Sequence, residues 1–197
     1  MLQARIQQQF FGAADLLNQV ADILARPLEE ATEAVVNCLT NGGKVLAAGL
    51  GADAGLAALL CGLLQHGHER ERPPLPAFCL GPGLGLPAGA GIDPVDALVR
   101  QLQVLGAPGD LLVLLAGPVE AHVPLLTLAE AAREADMSLL LFTGGEPGPW
   151  IEHLVETDVW LPLAESRPAQ VRQIHLVAVH ALCDAIDLQL LGPAEGE

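Results

Sequence analysis

Short apolar runs alternate with longer helix-like stretches through most of the chain, from residue 44 onward. Five runs have the length and apolar character of buried strands: residues 44–48, 75–80, 111–115, 138–143 and 158–161. Longer segments of helical length lie between or after them, at residues 56–65, 94–105, 123–135 and 168–191. Apolar strands that alternate with helices indicate a parallel sheet covered on both faces. The pattern therefore predicts an α/β fold with a doubly wound, five-stranded parallel sheet of the Rossmann-like or flavodoxin-like type.

The first 43 residues have a different pattern, that of two helices. Apolar residues recur at helical spacing over residues 2–24. A second helix is predicted from Pro27, at a first-turn position, to Asn41, before the stop signal Gly42-Gly43. The broad apolar faces of both helices predict packing against another subunit as well as against the sheet. The predicted organisation is an oligomerising extension over 1–43, an α/β domain over 44–192 and a short polar tail over 193–197.

Composition narrows the class of partner. The chain has 197 residues, of which 51% are hydrophobic, and a formal charge of −15 with nine basic residues. Phosphate backbones are bound by clustered Lys and Arg, so direct binding of nucleic acid is disfavoured. No signal peptide and no apolar stretch of about 20 residues is recognised, which predicts a cytoplasmic protein without a membrane segment. Four cysteines lie among apolar residues and are predicted to be buried free thiols: Cys38, Cys61, Cys79 and Cys183.

The turn after the first strand is the first candidate binding site. Ligands of doubly wound sheets bind outside the carboxyl ends of the strands. The turn reads GLGADAG over residues 49–55 and suits an anion at a helix N-terminus, but its third glycine comes one position late for the dinucleotide fingerprint. The carboxylate of Asp53 would also repel a phosphate at about 4 Å by ~1 kcal/mol in water, or ~4 kcal/mol at an effective dielectric of 20. The residues therefore favour a turn in which Asp53 caps its own helix.

The remaining loops and histidines offer little recognisable chemistry. The loop after the third strand contains Gly117, Pro118 and Glu120. This loop would bind a phosphate poorly, because it has no hydroxyl group, Pro118 has no N–H donor and Glu120 adds a negative charge. His175 and His180 are five residues apart on the last predicted helix and do not share a face. No metal-ligand spacing and no nucleophile–base set is present, so neither a metal, a cofactor nor a catalytic residue is predicted.

Three stretches resemble the SIS (sugar isomerase) domain family over nearly the whole chain. They are NGGKVLAAGLGADAG over residues 41–55, ERPPLPAFCL over 71–80 and RQIHLVAVHALCDAID over 172–187. The chain is similar to the phosphoheptose isomerases of this family and more closely to its DiaA branch, non-enzymatic proteins that associate with the replication initiator DnaA. The resemblance implies the SIS fold and a phosphosugar crevice at the carboxyl edge of the sheet.

Departures from the family pattern imply that this crevice is degenerate. Asp53 stands where the family has its phosphate-binding serine. Leu59 and Leu63 stand at the positions of a metal-binding and acid–base His and Glu, and Arg172 replaces a Gln; His180 alone matches. A single imidazole neither holds zinc nor moves a proton between two carbons unaided. The residues that the resemblance places in the crevice are Gly49, Gly51, Ala52, Asp53, Gly117, Glu120 and His180.

These departures favour a non-catalytic homotetramer that binds a DnaA-type initiator. By resemblance Leu190 and Leu191, at the end of the last helix, make the partner contact; packing against a neighbouring helix is the alternative role of this pair. A sugar phosphate is disfavoured as a ligand. Two alternative functions stay open: an active phosphoheptose isomerase, which acts on sedoheptulose 7-phosphate, and a phosphosugar sensor with a modified pocket.

Overall fold

The structure is a computed structural model that describes residues 1–81, 91, 93–117, 122–165 and 167–193. In these ranges the chain alternates between helix and strand after a long N-terminal helix. The helices are α1 (Leu2–Thr40), α2 (Asp53–His66), α3 (Pro94–Leu105), α4 (His122–Glu134), α5 (Trp150–His153) and α6 (Pro168–Leu191). The strands are β1 (Val45–Gly49), β2 (Ala77–Cys79), β3 (Leu111–Ala116), β4 (Ser138–Gly144) and β5 (Val159–Leu163).

The five strands form one parallel sheet in the order β2-β1-β3-β4-β5. In the middle of the sheet, Val45 of β1 is opposite Ala77 on one side and Leu111 on the other. Every residue of β1 and β3 is buried, as expected of parallel strands with helices on both faces. The predicted fold class, a doubly wound parallel sheet, is confirmed.

Two hydrophobic cores lie on opposite faces of the sheet. One core joins α1, α2 and α6 to the sheet, and the other joins α3, α4 and α5 to it. Successive residues of β1 alternate between them: Val45 and Ala47 face the first core, and Leu46 and Ala48 face the second. This arrangement leaves the carboxyl ends of the strands, and the loops that follow them, as the edge where a ligand can bind.

The predicted boundary between two N-terminal helices is corrected by the structure. α1 runs without a break through Pro27 to Thr40. A proline inside a helix costs about 3 kcal/mol or more, partly because the carbonyl four residues earlier loses its N–H donor. That carbonyl belongs to Ile23, a residue that is 62% exposed to water. Leu24 and Ala31, before and after the proline in the helix, are buried. Packing of the buried face keeps the helix continuous.

α6 passes a length-and-composition test for a membrane span, and no other helix in the described ranges does so. The helix has buried residues along most of its length, from Val171 to Asp187. It belongs to the first hydrophobic core, between α1 and α2. Its apolar composition is therefore that of a core helix.

His175 is an ionisable side chain inside that core. It is 1% exposed, and its ring meets the edge of Phe142 with centroids 5.6 Å apart. Burial lowers its pKa to about 4, against the opposing effect of the Thr143 backbone and with a further lowering by the charge of Arg172. The folded protein therefore holds this imidazole neutral at a pH where the unfolded chain would protonate it.

We expect His175 to make the protein less stable in acid. Since the pKa falls from 6.5 unfolded to about 4 folded, its contribution is fully present above pH 6.5 and is lost as the pH falls towards 4. The loss between pH 7 and pH 4 is about 3 kcal/mol. Urea unfolding at both pH values checks this. Between pH 7 and pH 4, the free energy of unfolding of His175→Leu should fall by about 3 kcal/mol less than that of wild type. The control His66→Gln, at an exposed position, should fall as much as wild type. Equal losses in all three proteins would refute it.

Candidate functional site

The turn between β1 and α2 forms one side of the site. Gly49 ends β1 so close to α2 that a Cβ there would lie 2.6 Å from the backbone carbon of Asp53. Gly51 has a positive φ of 57°, which a residue with a side chain rarely adopts. Gly51 and Ala52 are exposed, and α2 begins directly after them. The glycines thus bring the first turn of α2 against the carboxyl end of β1.

Asp53 connects three elements at the centre of this edge. It is 1% exposed, and its Oδ1 accepts a hydrogen bond from Nε of Arg172 on α6 at 2.9 Å. Its carboxylate also faces the end of β3, where a Cβ at Gly117 would lie 2.6 Å from Oδ2. Asp53 therefore holds the β1–α2 turn, the end of β3 and the start of α6 together.

The prediction that Asp53 caps its own helix is wrong. The N-cap residue is Ala52, and no side chain makes a capping hydrogen bond there. Asp53 is already the first residue of the helix, one position too late for an N-cap. Its carboxylate instead pairs with the guanidinium of Arg172, a charge-assisted bond that the sequence pattern does not reveal.

Opposing effects act on the pKa of the Asp53 carboxyl group. Burial raises the pKa of its carboxyl group above the usual value and outweighs the hydrogen bond and charge of Arg172 and the backbone amide of Gly117, which lower it. Oδ2 has no hydrogen-bond partner of good geometry among the described residues. The carboxylate is thus only partly compensated, which matters for any second anion at this edge.

Gly117, directly after β3, is closely packed on two sides, against Asp53 and against the end of β4. A Cβ at Gly144, at the end of β4, would lie 2.6 Å from the carbonyl oxygen of Gly117. Neither Gly117 nor Gly144 therefore has room for a side chain. Glu120, the other residue predicted in this loop, lies outside the described residues. Its place in the crevice stays a prediction.

His180 is paired with His68, a residue that the sequence analysis does not single out. Nε2 of His68 and Nδ1 of His180 are 2.8 Å apart, and one ring donates to the other. The ring planes meet at 64° with centroids 5.1 Å apart. Both residues are half-buried. The contact gives this imidazole a partner, so it is not isolated as the sequence suggests.

A buried ion pair fixes the segment that carries His68. Arg72 pairs with Asp187 of α6, and both side chains are 1% exposed. Arg72 also donates to the carbonyl oxygens of Leu64 and Leu63 at 2.7 and 3.0 Å, which closes the end of α2. The backbone N–H of His68 lies 3.4 Å from Asp187 Oδ2. The pair thereby ties the loop after α2 to the helix that carries His180.

The residues at this site do not fit the zinc ion that the family resemblance implies. Leu59 and Leu63 are half-buried and pack against the first hydrophobic core. Within the described ranges, no group of three or more His, Cys, Asp or Glu side chains is placed to hold a metal. A zinc site needs three or four such ligands. The described side chains therefore do not supply a zinc site at this edge of the sheet.

The two leucines at the end of α6 are not equivalent. Leu190 is half-buried and packs against the first hydrophobic core, whereas Leu191 is 40% exposed. The pair therefore does not form a single exposed patch. Partner contact through Leu190 and Leu191 stays a prediction.

The known proteins that resemble this chain fall into one family. The SIS domain model matches residues 9–144. The chain is 40% identical to a phosphoheptose isomerase of Methylibium petroleiphilum over 98% of this chain and 96% of the relative. A phosphoheptose isomerase of an Azoarcus strain is 35% identical over 97% of this chain and 98% of that relative.

Solved structures agree with the sequence relatives. The phosphoheptose isomerase GmhA of Neisseria gonorrhoeae superposes with a TM-score of 0.84 at 29% identity, over 95% of this chain and 99% of that one. A phosphoheptose isomerase from Francisella tularensis gives a TM-score of 0.85 at 29% identity, over 95% of this chain and 98% of that one. The resemblance to the sugar isomerase family is confirmed over nearly the whole chain.

The same comparisons overturn the favoured function. The departures from the family pattern and the resemblance to the DiaA branch predict a non-catalytic adaptor for a DnaA-type initiator. Relatives that are 31–40% identical over the full chain are named phosphoheptose isomerase instead, and so are the Neisseria and Francisella structures. The adaptor prediction is therefore wrong, and the likeness to the DiaA branch is not confirmed. The alternative of a phosphoheptose isomerase is the better supported one.

Proposed function

This chain belongs to the SIS-domain family, and on that basis we propose that it is a sugar-phosphate isomerase of the phosphoheptose class. The substrate proposed is sedoheptulose 7-phosphate. The single observation that carries the proposal is the 40% identity to a phosphoheptose isomerase over 98% of this chain. The names of the relatives support the class of substrate. Residues of this chain support a way to transfer the proton that the isomerisation moves between two carbons.

The reaction needs a base at two neighbouring carbons. In the interconversion of a ketose and an aldose, one proton leaves C1 and is returned at C2, while a hydroxyl proton passes from O1 to O2. Nε2 of His180 is the group proposed to remove and return the carbon-bound proton. Its Nδ1 is 2.8 Å from Nε2 of His68, so the second ring orients the first and shares its proton. His68 is thus a positioning residue.

The two ends of the site lie on one helix. Arg172 is next to Asp53 at the carboxyl edge of the sheet, and His180 follows eight residues later on α6. Eight residues rise about 12 Å along a helix. This separation is of the order of an extended seven-carbon sugar with a phosphate at its far end. Arg172 supports recognition of the anionic end, and His180 supports chemistry at the carbonyl end.

A phosphosugar sensor without turnover is the second candidate. It is favoured by Leu59 and Leu63, which pack against the core at positions where the family resemblance implies metal binding and acid–base work. Hydrocarbon side chains cannot move a proton, so this version of the crevice would bind the sugar phosphate and release it unchanged. The two candidates differ in one measurable event, the breaking of a carbon–hydrogen bond.

Proton exchange in D₂O separates the candidates. We expect the purified protein to introduce deuterium at carbon into sedoheptulose 7-phosphate and to form the aldose, both followed by NMR. Unphosphorylated sedoheptulose and glucose 6-phosphate are the matched control substrates and should exchange more slowly. Saturable binding without exchange would leave the sensor and remove the isomerase. Neither binding nor exchange would overturn both.

The oligomeric state and the cellular compartment of the protein are also proposals. We propose that the protein works in the cytoplasm as a homotetramer. Four large apolar side chains on the first three turns of α1 are 50–75% exposed, which favours burial between subunits: Leu2, Ile6, Phe10 and Phe11.

A further inference from the structure

The neighbourhood of Asp53 has the parts of an anion site, but a side chain of the protein already occupies it. The start of α2, with the positive end of its dipole, lies at the carboxyl edge of the sheet. The guanidinium of Arg172 is next to it, and the close approach of Gly117 brings main chain within contact of the same point. The Asp53 carboxylate lies among these three groups.

Arg172 is the group that a second anion would need most. Two of the first N–H groups of this turn are already used, since Asp53 N donates to Leu50 O and Gly55 N donates to Ala52 O. Among the described residues, the guanidinium makes its one hydrogen bond through Nε, to Asp53. A phosphate that approaches the start of α2 therefore has to share Arg172 with a resident carboxylate.

The two partners differ in their freedom to move. The Asp53 side chain is 1% exposed, whereas the Arg172 side chain is 33% exposed. A buried carboxylate cannot easily leave, but an arginine at the surface can turn its outer nitrogens towards a ligand. Binding of a phosphate would thus weaken the ion pair through movement of Arg172 and would leave the charge of Asp53 in place.

We propose that Asp53 is a built-in competitor of the ligand phosphate, which holds Arg172 and repels a second anion at the start of α2. This inference rests on the proposed function, in which the ligand is a phosphorylated sugar. The competition raises the ligand concentration at which the site fills. Removal of the carboxylate should free Arg172 and remove the repulsion together.

Binding of inorganic phosphate and of sedoheptulose 7-phosphate, measured by calorimetry, tests the inference. Asp53→Ser and Asp53→Asn should each bind phosphate about tenfold or more tighter than wild type, because Arg172 is freed and a like charge a few ångströms away is gone. Asp53→Ser combined with Arg172→Met should lose the part of that gain that comes from the freed guanidinium. Glu156→Gln removes one exposed charge at the opposite edge of the sheet and should change binding by less than about twofold.

The outcomes separate this inference from the proposed function. Thermal unfolding identifies which of the two Asp53 variants is folded, and the isosteric Asp53→Asn keeps the volume of the side chain. Folded variants that bind phosphate no tighter than wild type overturn the inference, even if the protein turns over sedoheptulose 7-phosphate. A gain in phosphate binding supports the inference, and absence of exchange in every variant would then refute the isomerase alone. A gain that survives Arg172→Met in full would also overturn it, because none of it would then come from the freed guanidinium.

Discussion

Replacement of His180 by alanine is expected to slow deuterium exchange into sedoheptulose 7-phosphate by a factor of about 10²–10⁴. His180 is the proposed base. Leu59 and Leu63 are hydrocarbon side chains that pack against the first hydrophobic core, so they cannot take over the proton transfer. The rate is read from the NMR exchange assay at saturating substrate. His66→Ala removes an exposed histidine from the end of α2 and should leave the rate unchanged. A His180→Ala protein that exchanges at the wild-type rate would refute the assignment.

His68 gives this prediction a second readout. His68→Phe keeps a flat ring but removes the nitrogen that lies 2.8 Å from His180. We expect a smaller loss of kcat than for His180→Ala with KM nearly unchanged, because the nitrogen that orients the proposed base is gone while the groups proposed to bind the substrate stay in place. A merely structural role for His68 would lower the amount of folded enzyme and leave kcat per folded molecule unchanged. Thermal unfolding of both variants controls for that case.

The fold could be predicted from the sequence because its signal is local and repeated. β1 and β3 are continuous apolar runs, and such runs between helices have few other solutions than a covered parallel sheet. The errors came where tertiary packing outweighs a local signal. Pro27 is a strong stop signal, yet burial of Leu24 and Ala31 on one face carries α1 through it. Four-residue α5 is too short to leave a periodic pattern.

The candidate site could be predicted only in part, because its contacts join residues far apart in the chain. The position of Asp53 at the anion-binding turn follows from the strand–turn–helix pattern. Its partner does not: Arg172 is 119 residues away. His68 is 112 residues from His180, in a loop with no periodicity. Asp187 did leave a signal, since it follows Val179 and Cys183 at intervals of four on the buried face of α6.

A few local departures from a family pattern are weaker evidence about function than similarity over the whole chain. The chain departs from the family pattern at Asp53, Leu59, Leu63 and Arg172, and from sequence alone these departures suggest a lost activity. Relatives at 31–40% identity over the full chain favour the isomerase instead. The His68–His180 contact also removes one premise of the adaptor prediction, since the imidazole that was thought to be alone has a partner.

Arg72→Met is expected to cause the largest loss of stability. The side chains of Arg72 and Asp187 are each 1% exposed, so methionine would fill the space but leave the Asp187 carboxylate buried without its cation. The carbonyl oxygens of Leu63 and Leu64 would lose a donor as well. Removing one partner of a buried pair costs about 3–5 kcal/mol. Urea unfolding at pH 7 should show a loss of this size in the free energy of unfolding.

An exposed pair in the same protein supplies the control for that measurement. Arg26 pairs with Glu30 one turn later on α1, at 3.0 Å, with side chains 86% and 49% exposed. Arg26→Met should cost less than about 1 kcal/mol, because water solvates the remaining carboxylate. The double variant Arg72→Met with Asp187→Leu should recover part of the loss, since no charge then stays buried. If Arg72→Met cost no more than Arg26→Met, the pair would not be what ties the His68 loop to α6.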